Sequence, residues 1–420
     1  MEESVLLTLR LIRLKCCFCS PTSVLVRKSV KQSFQPSERM LDLMYLFRDM
    51  TNICVRVGLE NDVSTLKRLS LLTYQQLKAF DVPSYYRLCA ISRAAGILAS
   101  RKKSVRRGYP TKDPYARKLA LMSCYGFKVE DENLLVPVKD RQHEQVPLVK
   151  HTLEVLSDPT LRVCSFVLTE RSLSLCISKD VEEMEGLTST VGVDRNLDNM
   201  AVGNSEHVTF YDTKEIGRIG QVTREIVKSF RRNDHRIRGR IASKYGIRRK
   251  RRAVQILHKI SKAIVQSAKE NREAIVFEDI RHIRGLYRKG NGQGTSYRRK
   301  MNDWPFSEVK RQVEYKARWE GIPVIQLTKS ETRCTSSTCP KCGERIPRTR
   351  DMAQARQLWC RKCREWFDRD LVAVLNISQR GRSRFNRSKG LPSEAMRQER
   401  GPVPPILRVD GSKLTQVTSR

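Results

Sequence analysis

Apolar positions recur along this chain at two periods, and the switches between them divide it into segments. Residues 5–14 and 24–30 alternate or run apolar in the manner of strands. Over 40–57 the period lengthens: Met40, Leu43, Met44 and Phe47 fall at i, i+3, i+4 and i+7, one face of a helix. Two more helices follow over 74–80 and 84–100, the second with Ser84 placed to cap it after Pro83. From 128 to 177 the period returns to two in LLVPV, TLRVCSFVLT and SLSLCIS, the last two joined across Glu170 and Arg171 as a β-hairpin. A helical block between β-segments predicts one β-domain interrupted by a helical domain. Tyr74, Tyr85 and Tyr86 of that block read better as core packing than as platforms for bases.

The second half alternates short buried strands with helices. Thr190-Val191-Gly192-Val193-Asp194 is a buried strand ending in a carboxylate, and Met200-Ala201-Val202 returns as a second strand. An amphipathic helix with Ile256, Leu257, Ile260 and Ile264 on one face leads into Ala274-Ile275-Val276-Phe277, which ends at Glu278. A helix over 307–319, a strand over 324–327 and a short helix, LVAVLNIS, opened by Phe367-Asp368-Arg369-Asp370, complete the pattern.

Asp194, Glu278 and Asp370 thus stand at two strand ends and in the first turn of a helix, rigid places for a site. Hydrolysis of a phosphodiester by two metals needs such a set, because acidic oxygens must hold two Mg²⁺ roughly 4 Å apart over the phosphate. Alternation keeps Glu278 and Asp279 from facing one site, and Asp368 suits the N-cap of the helix that Asp370 begins.

Charge sharpens this picture. The 420 residues hold 81 Lys+Arg against 45 Asp+Glu, a formal net charge of +36. A polyanionic partner is expected, nucleic acid ahead of a membrane surface. No apolar stretch approaches the ~18 residues of a membrane-spanning helix, and the start, MEESVLLTLRLIRLK, is too charged for a signal peptide. A cytoplasmic, nucleoid-associated protein is expected. Residues 231–252 carry eleven cations and one acid, Asp234; Arg231, Arg232, Arg236, Arg248, Arg249, Arg251 and Arg252 are the candidate phosphate contacts. Gly285, Gly290, Gly292 and Gly294 with Arg298, Arg299 and Lys300 read as a basic loop beside the second acid, and 383–420 as a disordered tail.

Among 13 cysteines, Cys339-Pro-Lys-Cys342 and Cys360-Arg-Lys-Cys363 have the spacing of two knuckles around one tetrahedral Zn²⁺. A closed four-thiolate shell leaves no position for water, so this zinc is read as structural. Cys16-x-x-Cys19 is a half-motif without a second pair; Cys54, Cys89, Cys124, Cys164, Cys176 and Cys334 read as packing residues.

The motifs GVDRNLDNMAVG, IVFEDIRHIR, SSTCPKCG…CRKC and DRDLVAVLNI, with NDWPFSEVKRQVEYKARWEGIPV before the cysteines, resemble in kind and order those of the TnpB (OrfB-type) transposon proteins, relatives of the type V CRISPR nucleases. The resemblance spans about 24–382. It implies an α+β multidomain chain: an RNase H-like (RuvC) nuclease domain interrupted by a four-Cys zinc ribbon, after a β-barrel wedge domain with a helical recognition insert. The segments are 1–38 (extension and first part of the wedge), 39–120 (helical), 121–186 (second part of the wedge), 187–330 (nuclease), 331–366 (ribbon), 367–382 (third nuclease motif) and 383–420 (tail). The implied activity is RNA-guided DNA cleavage by two Mg²⁺ at Asp194, Glu278 and Asp370, beside one Zn²⁺, with target DNA and a transposon-encoded guide RNA as partners and a monomer on the RNA. Alternatives are a nuclease-inactive RNA-guided regulator and a transposase or recombinase acting without a guide. The chain departs from the family at Arg364, where Gly is usual, at Cys334-Thr335-Ser336, and in an added N-terminus.

Overall fold

The computed structural model describes residues 23–139, 141–187, 189–280, 283–288, 290–347, 356–389 and 404–414. Cys16 and Cys19 lie outside them. The chain forms two compact units, Leu25–Asp180 and the described residues from Val181 onward.

The first unit runs β1 (Val24–Ser33), α1 (Glu38–Glu60), α2 (Leu66–Leu77), α3 (Ser84–Arg106), β2 (Ala120–Ser123), β3 (Lys128–Glu130), β4 (Asn133–Lys139), β5 (Gln142–Pro147), α4 (Lys150–Leu156), β6 (Arg162–Thr169) and β7 (Ser172–Val181). The helical period of the sequence is realised in α1, where Met40, Leu43, Met44, Phe47, Met50 and Cys54 are buried and Ser37 accepts from Met40 N. α3 starts at Ser84 as read, but its cap is Pro83, and no side chain accepts from its first turn. The hairpin turns at Glu170 and Arg171, with Thr169 opposite Ser172. The strands form two sheets, β1-β7-β6-β2 and β3-β4-β5. Tyr86 is fully buried and its hydroxyl donates to Pro137 O at 2.8 Å, a core role as expected.

The second unit runs β8 (Ser189–Arg195), β9 (Asn199–Gly203), β10 (Val208–Asp212), α5 (Lys214–Ser229), α6 (His235–Glu270), β11 (Glu273–Phe277), a 3-10 turn (Ile283–Tyr287), α7 (Thr295–Asp303), α8 (Phe306–Trp319), β12 (Val324–Gln326), α9 (Lys329–Thr332), β13 (Gln357–Cys360), β14 (Glu365–Asp368), α10 (Arg369–Ser388) and β15 (Ile406–Asp410). Its main sheet has the order β12-β11-β8-β9-β10-β15. The pairs β12–β11, β11–β8 and β10–β15 are parallel, and β9 runs antiparallel to both neighbours. Alternation splits the strands between two layers. Val191, Val193, Ile275 and Phe277 pack with Leu257, Ile260 and Ile264 of α6 and Val309 and Val313 of α8. On the opposite face, Ala201 and Phe210 pack with Leu371 and Val374 of α10, and Val276 with Ile377.

α10 lies on β8 at a distance only glycine permits: a Cβ on Gly192 would sit 2.5 Å from Val374 O. Ser378 Oγ donates to Thr190 O at 2.6 Å and Thr190 Oγ1 to Ser378 O at 2.9 Å, which fixes the register of helix on strand. Two expectations are corrected here. Part of the tail is ordered: α10 continues to Ser388, and β15 adds an edge strand because ILRVD pairs in register with VTFYD of β10. Arg298, Arg299 and Lys300 belong to α7, which Met301 anchors, and not to a loop.

Candidate functional site

The two-residue period that gives the sheet its faces also aims the acids. Asp194 lies two residues beyond Gly192 and Glu278 two beyond Val276, and both glycine and valine face α10. Asp370 sits in the first turn of that helix. Asp368 caps it as read from the sequence, accepting from Asp370 N at 2.8 Å and Leu371 N at 3.3 Å. The fold therefore brings three carboxylates, 84 and 92 residues apart in sequence (278 − 194 and 370 − 278), to one end of one face.

All three are shielded from water: Asp194 is 8% exposed, Asp370 2%, and the Glu278 side chain 13%. Burial pushes the Asp194 carboxyl well above the usual carboxylate range, and the charges of Glu278 and Asp370 push it further. Burial also raises Glu278, against the pull of Arg195. The acids are held by partners that the sequence reading missed. Asn196 Nδ2 donates to Asp194 Oδ2 at 2.8 Å and Asn199 Nδ2 to Asp370 Oδ2 at 3.0 Å, while Arg356 approaches Asp370 at 3.4 Å. Arg195 is buried over the Phe277 ring; it donates to Glu278 O at 3.0 Å and Phe306 O at 3.1 Å, with Nε 4.0 Å from Glu278 Oε1. Polar residues inside GVDRNLDNMAVG were the available signal for these.

Divalent cations suit this set. Buried carboxylates repel one another here, and Asn199 Oδ1 is buried with no hydrogen-bond partner. Asp194, Glu278 and Asp370 could hold divalent cations such as Mg²⁺. The Asp279 backbone amide donates to Thr332 Oγ1 at 2.9 Å, and its charge acts on neighbouring Glu278. A cleft of about 1440 Å³ opens beside Glu278 and Asp279, with Arg249, Lys250, Arg288 and Lys310 in its wall.

The four predicted thiols are together, with ligand atoms within 4.8 Å of one another; among the described residues no other group is that tight. Cys339 Sγ is 3.7 Å from Cys363 Sγ, and Cys342 Sγ 3.6 Å from Cys360 Sγ. A tetrahedron of thiolates 2.3 Å from zinc has edges of about 3.8 Å, so the cage fits that ion. The knuckles turn at matching positions after their second cysteines, Gly343 at φ 77° and Arg364 at φ 51°. The unusual Arg364 therefore sits where a left-handed conformation is required. Asn376 of α10 donates to Thr335 O at 2.8 Å and Thr338 O at 2.7 Å, tying the ribbon to the helix that carries Asp370.

The predicted basic contacts divide. Arg231, Arg232, Arg236, Arg248, Arg251 and Arg252 are exposed, but Arg249 is half-buried in an ion pair with Asp303, which also holds Arg224. Arg252 lies 3.4 Å from Glu215. The buried face of α6 begins only at Ala253, so its first eighteen residues, about 27 Å of helix, form an arm without a core.

A family model described as "Cas12f1-like, TNB domain" matches residues 306–377, from α8 through the ribbon into α10. One protein of Methanocaldococcus jannaschii described as TnpB-like is 28% identical over 265 residues, covering 60% of this chain and 91% of its own length. A second from the same organism, also described as TnpB-like, is 25% identical over 318 residues, covering 73% and 70%. A solved Cas12f1–sgRNA–target DNA complex contains a chain of similar fold, with a TM-score of 0.56 at 12% identity over 81% of this chain and 83% of that one.

Proposed function

We propose that the chain is an RNA-guided DNA endonuclease of the TnpB type, a reading supported by its similarity to TnpB-like proteins, to the Cas12f1-like TNB domain and to the fold of a Cas12f1 chain. The observation that carries this reading is the convergence of buried Asp194 and Asp370 with largely shielded Glu278 at one end of the sheet face covered by α10. The fold neighbour is a complex with sgRNA and target DNA, which supports the same two partners here. In this reading residues 187–330 and 367–382 are a RuvC-like nuclease domain, 331–366 a zinc ribbon inserted in it, and the two sheets and helices of the first unit the wedge and recognition parts. None of the described helices is long and apolar enough to cross a membrane.

When bound, two Mg²⁺ would lower the pKa of a water and neutralise the leaving oxygen of the scissile phosphate. The chain's own residues do the rest. Asn196 and Asn199 orient the carboxylates of Asp194 and Asp370 by donating to one oxygen of each. Arg195 holds the Glu278 backbone at the strand end. Burial keeps bulk water from the acids, which strengthens every charge interaction inside. The exposed cations of α6 grip phosphates without reading sequence, which pairing with the guide supplies. A discrete transposon-end RNA with a variable 3′ segment, co-purifying with the protein, is the expected finding. Recovery of bulk cellular RNA instead would favour a transposase acting without a guide.

A further inference from the structure

The ribbon hairpin carries a feature that metal binding does not use. β13 and β14 alternate: Leu358, Cys360 and Phe367 are buried toward the cysteine cage, whereas Trp359 and Trp366 stand on the other face, 38% and 51% exposed. The two indoles are directly opposite in the antiparallel register, with centroids 5.3 Å apart and planes tilted by 50°. Alternation alone demands a polar residue at each position, so two exposed tryptophans on one small face need a partner. Arg361, Lys362 and Arg364, all exposed, lie at the connecting turn. At the other end of β13, Arg356 lies 3.4 Å from Asp370. Arg356 lies three residues before Trp359, about 10 Å of extended chain, or roughly three stacked nucleotides.

We propose that Trp359 and Trp366 form a stacking platform for an unpaired base of single-stranded DNA, held next to the acid-bearing end of α10. Aromatic faces bind bases of any identity, and the flanking cations supply the complement to the phosphates. The choice of DNA rests on the proposed nuclease reading, because the strand beside Asp370 is then the one cut.

The test uses the full-length, zinc-loaded chain and three labelled probes of about ten units: oligothymidylate, an abasic deoxyribose phosphate of the same length, and oligouridylate. Wild type is expected to bind oligothymidylate about 5- to 100-fold more tightly than the abasic strand and no more weakly than oligouridylate, with quenching of tryptophan fluorescence. Trp359→Ala/Trp366→Ala should erase the preference for bases while keeping zinc content, and Trp359→Phe/Trp366→Phe should keep part of it. Equal binding of thymidylate and abasic strands by wild type, tighter binding of oligouridylate, or a folded double-alanine variant with the preference intact would each overturn the assignment. Guided cleavage measured alongside separates the two readings. Wild type that cleaves but ignores the bases contradicts the platform alone, and wild type that prefers bases but never cleaves contradicts the nuclease alone.

Discussion

The ribbon cage and the acidic site are both metal-type ligand sets, yet the fold prepares them differently. The four thiols converge to within 4.8 Å, whereas the three carboxylates form no group that tight and each is braced by an asparagine or arginine. The difference follows from charge. Thiols can crowd with less repulsion than ionised carboxylates, and the two knuckle turns at Gly343 and Arg364 help bring them together. Carboxylates buried together repel, and burial plus mutual charge pushes Asp194 toward its protonated form. One site would thus stabilise the fold when filled, and the other stores an electrostatic cost that a bound divalent cation would relieve.

The largest effect is expected at the acids. Asp194→Ala, Glu278→Ala and Asp370→Ala should each abolish guided cleavage while leaving guided binding nearly intact, and Asp279→Ala should be mild. A dead Asp279→Ala with an active Glu278→Ala would reverse the facing assigned by strand alternation.

Next comes the cage. The purified chain should carry about one zinc, and Cys360→Ser should cost most of the folded protein, because structural zinc contributes folding energy directly. Metal analysis and thermal melting check this. Two zinc per chain would give Cys16 and Cys19 a role as ligands.

The arm should follow in size. Arg231, Arg232, Arg236 and Arg248 changed together to Ala should flatten the dependence of log affinity on log salt by roughly 2 to 4, at about 0.9 per phosphate contact. Arg249→Ala should leave the slope nearly unchanged and lower the melting temperature, since Asp303 loses a half-buried partner. Salt titrations of DNA binding separate the two outcomes.

A smaller effect sharpens the contrast between sites. Without metal, Asp194→Asn should raise the melting temperature even as it removes activity, because it deletes a buried, repelled charge. Cys360→Ser should lower both. A fall in melting temperature for Asp194→Asn would mean that the carboxylate is already compensated in the metal-free chain. The smallest change is expected at Arg364→Gly, which should stabilise the ribbon by up to about 1 kcal/mol by relieving its left-handed backbone.

The same contrast explains what was legible in the sequence. The cage was readable because its ligands fall within 25 residues and the spacing of each knuckle is local. The acids were readable because each ends a buried apolar run or opens a helix, so the local pattern marks them even though their meeting is long-range. Their braces were not, since Arg195, Asn196 and Asn199 are ordinary polar residues until β9 and α10 are placed against β8. β15 was hidden for a related reason: five residues of ILRVD in a basic, proline-bearing tail show their strand character only in register with β10. The arm was legible as a charge run, but the pairing of Arg249 with Asp303 depends on α7, which the glycines had disguised as loop.

The central claim meets its most direct test in a cleavage assay. The wild-type chain, loaded with the RNA that co-purifies with it, is offered Mg²⁺ and DNA matching the variable segment beside a library of flanking sequences. The account predicts cutting only of matched targets with one short flanking motif, lost on removal of Mg²⁺ and in Asp370→Ala. Cutting that ignores the guide sequence, or tight matched binding with no cutting by the wild type, would contradict it.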